Sequence, residues 1–178
     1  MHNLEKKIVK YLNGRRLKFF DPLSRAISNI TMLVVFWLVV LVAIASNNIL
    51  SAVVVGSGLA IVFLVHFIVS ELVLKRGARA LALSRMRPYK RYPEEIQPIG
   101  RRFSDSSFPS SHMSSMVGGL IVLVHFYPFL WLSAILVAFL IGWSRLRNGM
   151  HYPTDILAGI ILGTGYGFLT IWILKILS

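Results

Sequence analysis

The sequence predicts an all-α fold: a polytopic transmembrane helix bundle of about five spans, preceded by an N-terminal amphipathic helix at the membrane interface. Three observations point there. Apolar residues fill 56% of the 178 positions, and the mean hydropathy is +0.69. Values that high, gathered into long runs, belong to a membrane chain rather than a soluble core. The runs show no period-two alternation and few hairpin-turn signals, which favours helices over a barrel. The cations lie almost entirely between the runs, with 19 Lys+Arg against 7 Asp+Glu.

The elements follow in order. Residues 1–28 form an arm in which Leu4, Ile8, Val9, Tyr11 and Leu12 alternate with Lys6, Lys7, Lys10, Arg15 and Arg16. That pattern is a basic amphipathic helix suited to anionic headgroups. The arm is too polar to contain the apolar centre of a signal peptide. The first apolar run is 31–46, with Asn29, Asn47 and Asn48 at its ends. The second, 49–74, is long enough to cross a hydrocarbon core of about 30 Å with tilt. The third is 114–126, starting nearer Ser110. The fourth is 129–143 and the fifth 156–177. Asn47-Asn48 and Tyr127-Pro128 read as tight uncharged turns, 75–109 as a long basic loop, and 144–153 as a short polar link. The whole, 1–178, reads as one domain.

Five spans put the arm, the basic loop and the short link on one side. That side carries all the Lys and Arg except Lys175. The positive-inside rule would make it cytoplasmic. A face built to bind phosphate carries arginines for its own reasons, so the loop charges are weaker witnesses than those of the arm.

Composition also excludes. With no cysteine there is no disulfide, thiol nucleophile or thiolate metal site. A basic excess suits nucleic acid, anionic lipid or phosphate ligands. No nucleic-acid motif is present, so the expected partners are the membrane and a lipid phosphate. Gly159-x-x-x-Gly163 suits either a dimer seam or close packing within one bundle, which leaves the oligomeric state open.

Three polar clusters fall on the basic side: Arg85-Met86-Arg87-Pro88; Phe108-Pro109-Ser110-Ser111-His112; and Ser144-Arg145 with His151 and Asp155. Ionisable residues at membrane depth mark a site. Arg87 and Arg145 carry planar forks that match phosphate oxygens. Ser110 and Ser111 stand where the third helix starts, and its free N–H groups make an anion seat. Pro153 suits the first position of the last helix and puts Asp155 in its first turn. From there Asp155 can take the ring N–H of His151 and leave the other nitrogen free. Two histidines can then divide the work, one as nucleophile and the other as general acid. No acidic cluster is available for magnesium, so no metal and no cofactor are expected. His66 and His125, each alone in an apolar run, read as packing residues. Arg101, Arg102 and Arg147 read as headgroup or solvent contacts, and Tyr89, Tyr92 and Tyr152 as interfacial rings. Phe103 and Phe108 suit an acyl-chain entrance or interfacial packing equally.

These residues resemble the three motifs of the type 2 phosphatidic acid phosphatase superfamily, membrane lipid phosphate phosphatases. Ser144, Arg145, His151 and Asp155 match S-R-x5-H-x3-D at every defined position. Pro109-Ser110-Ser111-His112 is similar to P-S-G-H, with serine for glycine. Arg87-Pro88 matches the end of K-x6-R-P, but Ala80 stands at the lysine position. Arg79, one residue earlier and about 100° away on a helix, is the expected substitute; Lys75 and Arg76 are the other cations within reach.

The resemblance spans about Lys75 to the C-terminus. It implies hydrolysis of a lipid phosphomonoester or pyrophosphate through a phosphohistidine at His151. Asp155 would orient that ring, and His112 would protonate the leaving group. Arg87, Ser110, Ser111, Arg145 and Arg79 would hold the phosphate. Implied substrates are lipid A 1-phosphate, phosphatidylglycerol phosphate, undecaprenyl pyrophosphate and phosphatidic acid. The implied location is a bacterial inner membrane with a periplasmic site, against the charge count. A lipid-to-lipid phosphotransferase and a non-catalytic lipid-binding protein with degenerate motifs are the alternatives.

Overall fold

The computed structural model describes residues 2–14, 19–80 and 84–177, and among these every regular element is helical. Helix α1 (His2–Gly14) leads to α2 (Phe20–Ile27) and α3 (Ile30–Ala45), whose axes are bent by 66° at the break between them. Asn29 causes that break by taking an extended backbone and capping α3, its side chain accepting from Thr31 N at 2.8 Å. Asn48 starts α4 (Ile49–His66) in the same way, accepting from Ser51 N at 3.0 Å. Residues Phe67–Arg76 then widen into a π-helix, and α5 (Gly77–Ala80) completes one continuous helix. The expected basic loop therefore starts later than residue 75. After the short α6 (Pro88–Arg91) come α7 (Ser111–Phe126), a 3₁₀ turn at Pro128–Leu130, α8 (Trp131–Arg147) and α9 (Pro153–Leu177).

All five apolar runs are helices, but length separates them. Ile49–Ala80, Pro128–Arg147 and Pro153–Leu177 are each long and apolar enough to cross a membrane, and the bent α2–α3 pair adds a fourth if it counts as one span. Helix α7 is shorter because its first turns belong to a polar site, and it is the most enclosed helix of the bundle. The outward faces carry Val39, Val42, Leu50, Phe139, Phe168 and Trp172, all exposed. A skin of that kind belongs in hydrocarbon, and the protein is an integral membrane protein.

Helix α7 packs against α9, α4 and α8. Glycines let α7 and α9 approach. A Cβ on Gly163 would stand 2.5 Å from Ser114 O, and one on Gly159 2.9 Å from Ser110 O. The face of Gly159-x-x-x-Gly163 is therefore spent inside the bundle rather than on a partner copy.

A second, smaller core joins the arm, the loop and the link: Val9, Tyr89, Ile96, Met150 and Tyr152 are all buried. Tyr89 and Tyr152 are thus core residues, not interfacial ones. Asn13 ties the arm down. Its Nδ2 donates to Gln97 O at 2.7 Å and Arg147 O at 2.8 Å, and Gln97 N returns a bond at 2.9 Å. Arg147, expected in solvent or headgroups, is buried and donates to Asp21 Oδ1 at 2.7 Å and Leu12 O at 3.0 Å. The arm is hence a packed wall of the site. Leu4, Ile8 and Tyr11 remain exposed on its far face. Arg15 and Arg16 lie outside the described residues.

Candidate active site

The site forms where the break in α2–α3, the loop before α7 and the link before α9 converge. The break frees the carbonyl of Ser28, which His112 Nε2 meets at 3.1 Å. A carbonyl can only accept, so Nε2 carries the proton and Nδ1 keeps a lone pair. The loop ends at Ser110, whose N–H donates to Asp155 O at 3.2 Å, fixing the start of α7 against the start of α9. In the link, Gly149 turns the chain at φ +68, a conformation that favours glycine. Asp155 accepts from Tyr152 N at 2.8 Å, capping α9.

His151 is 1% exposed. Its Nδ1 lies 2.7 Å from Ser107 O, while Arg87 Nη1 and Arg145 Nη2 approach Nε2 at 3.2 and 3.3 Å. The carbonyl accepts and the guanidiniums donate, so the proton is on Nδ1 and Nε2 presents its lone pair. Burial, then Arg145 and Arg87, push the His151 pKa well below the ordinary histidine value. The expected Asp155 contact is not made. The carboxylate stands 3.8 Å from Nδ1, and its oxygens go instead to Tyr152 N and to Arg85 Nη1 at 2.6 Å. A carboxylate in the first turn of a helix is drawn to its own helix terminus, and the Ser107 carbonyl reaches the ring first. Arg85 in turn donates to Glu5 Oε2 of the arm at 2.8 Å.

Arg87 is held by Asp105 Oδ1 at 2.7 Å, Met150 O at 3.1 Å and Ser106 O at 3.3 Å. Burial raises the Asp105 carboxyl, but Arg87 and Lys75 outweigh it and keep it well below the usual carboxylate range. Ser110 Oγ is buried without a partner among the described residues, at the N-terminus of α7. Ser111 Oγ donates to Glu71 Oε1 at 2.6 Å and accepts from Lys75 Nζ.

The first-motif cation needs correcting. Arg79 is exposed and does not line the site. Lys75 does, with Nζ 2.8 Å from Asp105 Oδ2 and 3.0 Å from Glu71 Oε1. The π-helix is the reason. Its i→i+5 turns shift the register that a regular helix would keep, carrying Lys75 and Glu71 inward. Lys75→Met is expected to lower activity about 10- to 100-fold, the worth of one charge-assisted contact. Arg79→Ala should stay within about twofold, since surface substitutions away from such features change little; rates of phosphate release compare the two.

Lys75, Arg87, His112, Arg145 and His151 line one cavity of about 600 Å³, together with Ile30, Leu33, Trp37, Leu41 and Leu59. Its apolar wall also includes Val34, Leu38, Phe63 and Phe67, which are exposed and mark a mouth between α3 and α4. His66, expected to be a packing residue, lines the cavity too and shares a hydrogen bond with Ser114 Oγ at 3.1 Å. His125 is exposed, its ring against Phe126. Among the described residues no group of three His, Asp or Glu could hold a metal ion. Sequence reasoning missed Ser28, Ser107 and Glu5. The first two act through main-chain carbonyls, which leave no side-chain signal. Glu5 showed only as an acid in a basic arm.

Comparison with known proteins gives the site a context. The family model described as the PAP2 superfamily matches residues 59–177. An undecaprenyl-diphosphatase from Sulfolobus acidocaldarius is 28% identical over 120 residues, which is 67% of this chain and 55% of that protein. A lipid A 4'-phosphatase from Bacteroides thetaiotaomicron is 41% identical over 70 residues, 38% of this chain and 31% of that protein. A lipid A 1-phosphatase from Rhizobium johnstonii is 29% identical over 73 residues, 41% of this chain and 30% of that protein. The chain thus spans about half or less of the length of the curated relatives it matches. The crystal structure of a transmembrane PAP2-type phosphatidylglycerolphosphate phosphatase from Bacillus subtilis superposes with a TM-score of 0.70 at 21% identity, covering 99% of this chain and 87% of that one.

Proposed function

The chain belongs to the PAP2 superfamily, and from that premise we propose that it hydrolyses a lipid phosphomonoester or pyrophosphate without a metal, through a phosphohistidine. One observation carries the reading. The lone pair of His151 Nε2 lies between two guanidiniums, in a cavity whose apolar wall includes the exposed side chains Val34, Leu38, Phe63 and Phe67.

In this reading the phosphate takes its place among Arg87, Arg145, Lys75 and the N-terminus of α7, with Ser110 Oγ as a free donor. His151 Nε2 attacks phosphorus while Nδ1–H stays on Ser107 O. The bond from phosphorus to the leaving oxygen breaks, and that oxygen takes a proton from His112. With Nε2–H committed to Ser28 O, the proton transferred is one on Nδ1, so His112 enters this step as the imidazolium, protonated on both nitrogens, and leaves it with Nδ1 bare. Water then gives a proton back to His112 and attacks phosphorus, the P–N bond breaks, and phosphate leaves. The guanidiniums stabilise the charge on the equatorial oxygens throughout. Asp155 acts at one remove, by holding the link and Arg85. Substrate tails occupy the apolar end between α3 and α4.

The substrates to test are those the resemblance and the relatives' names suggest: undecaprenyl pyrophosphate, lipid A 1-phosphate, phosphatidylglycerol phosphate and phosphatidic acid. Detergent-solubilised protein should release phosphate from at least one of them, equally with and without chelator. No release from any, or full loss with chelator, contradicts the proposal. We assign the site to the periplasmic face of a bacterial inner membrane. The chain has no cysteine of its own. A single Arg102→Cys should therefore react with an impermeant thiol reagent in intact cells; protection there with reaction in lysed cells reverses the assignment.

Acid dependence gives a further expected result. The nucleophile must be unprotonated, and its pKa is depressed, so the reactive form survives as pH falls through the ordinary histidine value of about 6.5. Corrected for titration of the substrate phosphate, kcat/KM should show its acid limb below that value. A limb at or above it would contradict the buried, doubly donated His151.

A further inference from the structure

Arg87 and Arg145 both point N–H groups at one imidazole nitrogen, at 3.2 and 3.3 Å. Arg87 has Asp105 as a counter-charge. Arg145 is 2% exposed, donates to no carboxylate among the described residues, and its Nε has no partner. Two buried cations converging on one acceptor repel each other, and burial without a carboxylate partner penalises Arg145 further. Something must hold them before a substrate arrives.

Phe103 is placed to do so. Its ring centroid lies 5.1 Å from the guanidinium carbon of Arg87, 5.7 Å from that of Arg145 and 5.8 Å from that of Arg101. All three are within the range at which an aromatic face attracts a cation. The residue is itself fixed. Tyr89 Oη donates to Phe103 O at 2.7 Å and accepts from Phe103 N at 3.0 Å, so one buried phenol pins both main-chain groups. Phe103 also lines three spaces: the main cavity, one of about 480 Å³ beside Tyr89, and one of about 230 Å³ that Arg101 and Arg145 share. An apolar plug would need the volume but not the three cations.

We propose that Phe103 is a positioning residue whose π face holds Arg87 and Arg145 in their phosphate-binding arrangement while the cradle is empty. This rests on the reading of those arginines as phosphate ligands. The expectation is that affinity for a bare phosphate depends on the aromatic face and not on apolar bulk. Tyrosine keeps the face; leucine keeps only bulk.

The experiment titrates inorganic phosphate onto detergent-solubilised wild type, Phe103→Leu and Phe103→Tyr by calorimetry, with kcat/KM for a lipid phosphate measured alongside. Phe103→Leu should weaken phosphate binding about 3- to 30-fold, with kcat/KM falling in step. Phe103→Tyr should stay within about twofold of wild type. If the leucine variant fails to fold, Phe103→Met, which fills the volume without a ring, takes its place. Leucine or methionine binding phosphate as wild type does, or tyrosine failing to restore it, overturns the role of the ring. Wild type that releases phosphate from lipid yet binds no inorganic phosphate removes the basis for assigning Phe103 alone. Wild type that does neither removes the phosphatase reading itself.

Discussion

His151→Ala is expected to abolish phosphate release, lowering kcat by at least about 10⁴-fold, the scale on which losing a covalent nucleophile or its histidine partner is felt. The imidazole is almost wholly enclosed, and both its nitrogens are engaged, one by Ser107 O and the other by two guanidiniums. No neighbour can replace it. His112 is tied through Nε2 to Ser28 O. The link is held independently by Met150 N on Arg145 O at 3.1 Å and by the Asp155 cap, so the alanine variant should keep its helical fold. Substrate labelled with radioactive phosphate, quenched during turnover, separates mechanism from binding. Wild type should retain acid-labile, base-stable label, and His151→Ala none. Label persisting in the alanine variant would place the covalent bond elsewhere.

Arg87→Lys is expected to cost about 10²- to 10⁴-fold in kcat/KM, although the charge is kept. A planar fork reaches Asp105 Oδ1, Met150 O, Ser106 O and His151 Nε2 together, and an ammonium cannot. Losing two charge-assisted contacts accounts for that range. Arg87→Ala should add a stability loss of about 2 kcal/mol. That is less than the ~3–5 kcal/mol of a fully buried pair, because Asp105 keeps Lys75. Thermal unfolding and kinetics should therefore diverge: the lysine variant melts close to wild type but is nearly inactive, and the alanine variant is impaired in both. A lysine variant with near-normal kcat/KM would mean that Arg87 serves the fold and not the phosphate.

Much of the architecture was legible because hydrophobic runs and helix punctuation are local signals. Asn29, Asn48 and Pro153 mark helix starts in the sequence, and each helix begins there. The convergence of His112, His151, Arg87 and Arg145 was legible through their spaced motifs. What stayed hidden depends on features without residue-type signatures. The π-helix that turns Lys75 rather than Arg79 inward is a change of backbone pitch. The partner of the His151 ring is a carbonyl, which every residue has. The arm read as a surface helix because its cations dominate, yet Glu5, Val9 and Asn13, four residues apart, form a buried face. Tyr89, Tyr152 and Arg147 misled for the same reason. Amphipathic side chains are favoured at a bilayer boundary, and only tertiary packing assigns them to a core.

The mouth between α3 and α4 has a kinetic consequence. Val34, Leu38, Phe63 and Phe67 line the cavity and face outward at once, so an amphiphile can slide in without leaving its leaflet. Under the proposed function, encounter then happens in two dimensions, and the quantity that saturates the protein is the surface mole fraction of substrate, not its molarity. Diluting mixed micelles with inert detergent at fixed total substrate slows such a reaction, whereas adding buffer leaves it unchanged.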